Sequence, residues 1–224
     1  MISFKSIFVG ATLTVFLSFT ACSSETEDIK DEIVTLLKGK PSEKNYDLSQ
    51  KYFDEGDYEK ALKHDILQLE EDLKYYKKQS SEISLDYNNI GLDYDELKNY
   101  SKALEYYKKA IKIDEITLES NSTERSTTYY NIASTYDSLD NYDEALKYYF
   151  KALEIDKVGL GLYHEDVLAE YEDIATIYEK TDKPQKALVY LEKALEFNLH
   201  EHEENSDEVA ESKAKIEELK KKIK

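Results

Sequence analysis

Cysteine is nearly missing from this chain of 224 residues, where Cys22 stands alone. No disulfide can close within the chain, and a paired-cysteine zinc or redox motif is excluded. Two prolines and six glycines are too few for a β-rich protein that turns about every ten residues. Positive charge is scarce as well. Lys and Arg number 30 against 48 Asp and Glu, a formal balance of −18. Nucleic-acid binding needs a basic face that displaces counterions from phosphate, so no nucleic acid is expected as a partner. Tryptophan is absent, while tyrosine occurs 20 times. With 41% hydrophobic and 35% charged residues, the chain is too apolar for disorder and too polar to cross a membrane repeatedly. Glycine-rich phosphate loops and a nucleophile–base set are also lacking. The expectation is therefore a non-enzymatic, acidic, helical protein without metal or cofactor.

The one long apolar run, Ile7 to Phe19, follows a single basic residue, Lys5, and leads into Thr20-Ala21-Cys22. These are the basic, apolar and small-residue zones of a secretory signal, and the run falls short of the about 20 residues a spanning helix needs. With Cys22 directly after Ala21, residues 1–21 resemble a bacterial lipoprotein signal peptide, although Phe19 stands where that family usually has leucine. The resemblance implies cleavage before Cys22 and a membrane anchor of acyl chains on that residue, two or more of which hold stably. A plain secretory signal and an uncleaved anchor helix are the competing readings. Residues 22–41 read as an acidic tether with a short amphipathic helix from Asp28 to Lys38. Ser23 rather than aspartate after the cysteine implies, by the same resemblance, the outer membrane of a bacterial envelope.

The sequence then repeats itself. Tyr58-Glu59-Lys60-Ala61-Leu62, Tyr100-Ser101-Lys102-Ala103-Leu104, Tyr142-Asp143-Glu144-Ala145-Leu146 and Pro184-Gln185-Lys186-Ala187-Leu188 align without gaps at a constant period of 42 residues. The units run 42–83, 84–125, 126–167 and 168–209. Each reads as two helices. The first carries Leu48, Ile90, Ile132 or Ile174, then a small residue (Ser49, Gly91, Ala133, Ala175), then tyrosine three further on, all on one 3.6-period stripe. A polar turn follows. The second helix places Ala110, Ala152 and Ala194 seven residues after its first alanine. Small residues let two helices approach, and a pair that cannot bury its apolar face alone is stabilised by stacking on the next.

These positions resemble the tetratricopeptide repeat, and the 42-residue unit is similar to the kinesin-light-chain type. The resemblance implies an all-α, right-handed superhelix (an α-solenoid) of four helix pairs. Residues 210–224 read as a polar-faced capping helix. Repeat 1 departs from the pattern, since Asp65 and Gln68 replace the usual Tyr or Leu and Ala, and a displaced or irregular second helix is expected there. The remaining carboxylates are expected on solvated helix surfaces.

In this family the first helix of each pair lines a concave groove, where an Asn typically holds the backbone of a bound peptide. The matching positions are Asp47, Asn89, Asn131 and Asp173, with Asn88 and Tyr130 beside them. Amides offer donor and acceptor together, so they satisfy peptide groups without reading sequence. None of these residues is basic, so the clamp by which chaperone-binding relatives grip a C-terminal carboxylate is not expected. The expected partner is a protein segment, extended or helical, with neutral or basic side chains. His200 and His202 are two apart, which on a helix puts them on different faces, and His64 and His164 have no evident partner. The function implied is a membrane-tethered scaffold in a bacterial envelope. A small-ligand or glycan-binding lipoprotein for uptake, which needs an open aromatic pocket, is one alternative. A scaffold without lipid is the other.

Overall fold

A computed structural model describes residues 6–9, 12–15 and 41–223, and the chain divides into two units, Met1–Pro41 and Ser42–Lys224. In the first unit, β1 (Ser6–Val9) and β2 (Thr12–Val15) pair antiparallel, Ser6 opposite Val15 and Val9 opposite Thr12. The β-branched Ile7, Val9, Thr12, Thr14 and Val15 suit extended backbone. Cys22, the tether and the expected helix at 28–38 lie outside the described residues.

The second unit is all-α. Its helices are α1 (Lys44–Asp54), α2 (Tyr58–Asp72), α3 (Ser81–Glu96), α4 (Tyr100–Thr117), α5 (Thr123–Ser138), α6 (Tyr142–Gly159), α7 (Glu165–Lys180), α8 (Pro184–Glu201) and α9 (Asp207–Ile223). Each packs on its neighbours in sequence, giving four stacked pairs and a terminal helix. In repeats 2 to 4 the first helix has 16 residues and the second 18. That extra length accommodates the 42-residue period.

The turn inside every pair has one chemistry. The first helix ends on a residue in the left-handed region: Gly56 (φ 74°), Lys98 (59°), Asp140 (56°) or Asp182 (53°). The amides of Asp57, Asn99, Asn141 and Lys183 then reach back to the carbonyls of Tyr52, Tyr94, Tyr136 and Tyr178 at 2.8–2.9 Å. This is a Schellman ending, which satisfies carbonyls the helix leaves unpaired. Only the first turn uses glycine, which takes this backbone without a Cβ clash.

The signature tyrosines hold the two helices of each pair together. Tyr52 stacks on His64, Tyr94 on Tyr106, Tyr136 on Tyr148 and Tyr178 on Tyr190, with ring centroids 5.6–5.9 Å apart. Each such contact stabilises by about 1 kcal/mol beyond the area it buries. His64 thus occupies a tyrosine's place, and its Nδ1 lies 3.1 Å from Asn45 Oδ1. The small position is needed as well: a Cβ on Gly91 would sit 2.6 Å from the Tyr107 ring.

Between pairs, the core of α4 and α5 is built from Tyr107, Ile111, Tyr129 and Ile132. From α6 onward Tyr149, Leu153, Ile174, Ile177, Leu191, Ile216 and Leu219 continue it. In α1 and α2 only Ala61 is a buried hydrophobic residue. Even so, α2 is not displaced. Ala61, Asp65, Gln68 and Asp72 are buried at the positions of Ala103, Tyr107, Ala110 and Asp114. Gln68 is accommodated because its amide donates to Asp72 (3.1 Å) and accepts from the Tyr46 amide (3.2 Å), which removes the penalty of burying a polar group. The irregularity is confined to length, for α2 stops at Asp72 and an eight-residue loop, 73–80, follows.

Candidate functional site

The first helices of successive repeats are bonded directly to one another. Asn131 Nδ2 on α5 donates to Asn88 Oδ1 on α3 at 3.1 Å, and Thr135 on α5 donates to Asp95 on α3 at 2.7 Å. Tyr130 on α5 donates to Asp173 on α7 at 2.8 Å, and Lys180 on α7 pairs with Asp137 on α5 at 2.8 Å. Among the described residues no hydrogen bond joins α4 to α6 or α6 to α8. The first helices are therefore the closer-packed set, and they line the inner face.

Two cavities open on that face at equivalent places one repeat apart. The larger, about 430 Å³, lies over α3 and α5 and is bordered by Leu85, Asn88, Asp114, Leu118, Thr127 and Thr128. The other, about 220 Å³, is bordered by Thr127, Tyr130, Asp156, Asp166, Ala169 and Glu170. Thr127 borders both. In the larger, Leu85 is half exposed (52%) and makes the floor apolar. In the smaller, three of the six lining side chains, Asp156, Asp166 and Glu170, are acidic.

Of the residues expected from sequence, the structure brings Asn88 and Asn131 together and joins Tyr130 to Asp173, in two separate pairs. Asn89 is half-buried and borders neither cavity, while Asp47 lies exposed on α1. The histidine expectations need correction. His164 accepts from the Asp166 amide and caps α7, and His200 stacks on Tyr163 with centroids 3.6 Å apart. Of the 20 tyrosines only Tyr46 and Tyr163 are exposed, and neither borders these cavities. Most rings serve packing and leave no open aromatic platform of the sort a glycan site uses.

The tetratricopeptide-repeat model matches residues 44–116 and 124–199. The chain belongs to the tetratricopeptide-repeat family. Structures with similar folds include a putative kinesin light chain with TPR-like repeats from Podospora anserina, with TM-score 0.70 and 16% identity over 80% of this chain and 84% of that one. BtubC (BKLC) from P. vanneervenii gives TM-score 0.69 and 24% identity over 88% and 77%. The MamA protein gives 0.53 and 19% over 79% and 85%. No curated protein matches the sequence. The tetratricopeptide-repeat fold supports a role in protein–protein interaction.

One feature of this tetratricopeptide-repeat array was misjudged from sequence. Seven carboxylates expected on solvated surfaces, Asp65, Asp72, Asp86, Asp93, Asp114, Asp156 and Glu170, are buried between repeats. They follow the period. Asp72, Asp114, Asp156 and Asn198 lie in the last turn of the second helices, and each meets the next repeat's Asp86, Thr128, Glu170 or Ser212. Asp114 accepts from Ser84 and Thr128, and Asp156 accepts from Ser126. Where acid meets acid, Asp86, Asp93 and Glu170 each keep at least one buried carboxyl oxygen without a donor, so one carboxyl of the pair must keep its proton. Burial, and then the neighbouring Asp72, push Asp86 up to about 8. Burial and Asp65 push Asp93 up to about 9. Burial and Asp156 push Glu170 up to about 9. The recurrence of aspartate at 72, 114 and 156 was the sequence signal that could have revealed this layer.

Proposed function

We propose that this chain is a lipid-anchored, non-enzymatic scaffold of a bacterial cell envelope that holds an extended or helical segment of a partner protein on its inner face. The observation that carries the reading is the pairing of cavities with half-buried polar groups along that face. Asn88 and Asn131 keep unused amide donor and acceptor capacity after their mutual bond, and the cavities beside them offer places for side chains. A preformed face binds without an ordering cost of its own. The anchor rests on the Ala21-Cys22 motif after an apolar run, and the outer-membrane assignment on Ser23.

Crosslinked pull-down from envelopes tests the groove. Asn88→Ala with Asn131→Ala should lose the partner that the wild-type chain recovers while helicity is unchanged, and undiminished recovery refutes the assignment. Metabolic labelling with a palmitate analogue tests the anchor. Label should appear on the wild-type chain and vanish in Cys22→Ser, and an unlabelled wild-type chain removes the lipoprotein reading.

A further inference from the structure

Glu170 is only 1% exposed, and neither of its carboxyl oxygens meets a hydrogen-bond donor. It borders the smaller cavity beside Asp156 of α6 and Asp166 of its own helix. The ionisable groups that act on it are Tyr130 from α5, Asp156 from α6, and Asp166, Tyr171 and Asp173 from α7, while His164 before α7 acts on Asp156. Among the described residues no lysine or arginine pairs with Asp156, Glu170 or Asp173. At the equivalent place one repeat earlier, Thr128 replaces Glu170 and satisfies Asp114, so acid is not required there by packing. An isolated buried carboxyl pair is costly unless a cation or a shared proton compensates it.

We propose that the cavity between α5, α6 and α7 receives an arginine side chain of the bound partner segment, while the neighbouring cavity over α3 receives an apolar side chain about three residues away along it. This rests on the inner-face reading above and specifies its partner. The guanidinium fork matches paired carboxyl oxygens and is less strongly hydrated than an ammonium, so lysine is the weaker occupant. The spacing follows from the contact of inner helices, whose axes lie about 8–10 Å apart when packed, against about 3.1 Å per residue in a polyproline-II-like segment, where side chains three apart share one face. Arginine entry expels the proton that Glu170 otherwise shares with Asp156. Binding therefore releases a proton near neutral pH and strengthens as pH rises toward 8.

The test uses the full chain and two synthetic peptides, acetyl-Leu-Ala-Ala-Arg-Ala-amide and its citrulline twin, by calorimetry in buffers of different ionisation heat. The arginine peptide should bind about tenfold more tightly than the neutral twin, as charge-assisted bonds to a buried acid require, with proton release. Glu170→Gln should erase that ratio and the proton release while leaving helicity unchanged. Equal affinity of the two peptides, or no binding of either at millimolar concentration, overturns the proposal, and so does an unchanged ratio in Glu170→Gln. In the pull-down, a partner lost by the Asn88/Asn131 variant but retained by Glu170→Gln refutes the arginine cavity alone. A partner retained by both variants refutes the groove itself.

Discussion

The junction between α2 and α3 and the junction between α8 and α9 occupy equivalent places in the array, yet they are filled by opposite chemistry. At the first, Asp65 meets Asp93 and Asp72 meets Asp86. At the last, the corresponding residues are Leu191 with Leu219, both in the core, and Asn198 donating to Ser212 at 2.8 Å. The backbone repeat sets which positions face each other. The side chains placed there decide how firmly neighbours hold and at what pH. Because stability in a stacked array is close to a sum of local terms, the amino-terminal pair should open first.

The largest expected effect breaks the strong end. Leu219→Ala removes a side chain only 2% exposed and should cost about 3 kcal/mol, read as lost hydrogen-exchange protection in α8 and α9 while α3 to α6 are spared. Converting the weak end into the strong one comes next. Asp65→Leu with Asp93→Leu should stabilise α1 and α2 by about 2 kcal/mol at pH 8, since an apolar pair replaces buried acids; a loss of stability there would show that the acids themselves hold the junction.

The pH dependence of the unaltered junction is a smaller effect. Folded Asp86 and Asp93 keep their protons to about 8 and about 9, whereas unfolded aspartate releases its proton near 3.9. Between those limits the folded chain binds more protons, so its stability is complete below the lower limit and falls as pH rises. Protection of α1 and α2, corrected for intrinsic exchange, should drop by about 1 kcal/mol or more from pH 5 to pH 8, and Asp86→Asn with Asp93→Asn should flatten the slope. The smallest effect sharpens the contrast at the turns: Lys98→Gly, Asp140→Gly and Asp182→Gly should each stabilise by about 0.5 kcal/mol in chemical denaturation, by relieving a left-handed Cβ.

The period and the helix pairs were legible in the sequence because small residues and tyrosine at fixed offsets leave few other packings. Gly91 beneath the Tyr107 ring is one example. Repeat 1 was misread because Asp65 and Gln68 look like surface residues, and only the hydrogen bonds of Gln68 to Asp72 and Tyr46 make their burial tolerable. The groove was half legible. Asn88 and Asn131 meet across a repeat boundary at positions 43 apart, one more than the period, which a strict alignment does not pair. Glu170 escaped notice because acid on a helix is ordinarily solvated, and nothing local shows that Asp156 will be folded against it.

The constant spacing of facing residues also makes the array editable by recombination. Excising residues 84–125 would join Ile83 to Ser126 in register and set Asp72 opposite Thr128 and Asp65 opposite Thr135. Every doubly acidic contact of the first junction would become an acid–hydroxyl contact like the one Asp114 makes now. The shortened gene product would lose a repeat and, with it, the alkali response of its amino-terminal junction, while Glu170 beside Asp156 keeps its own.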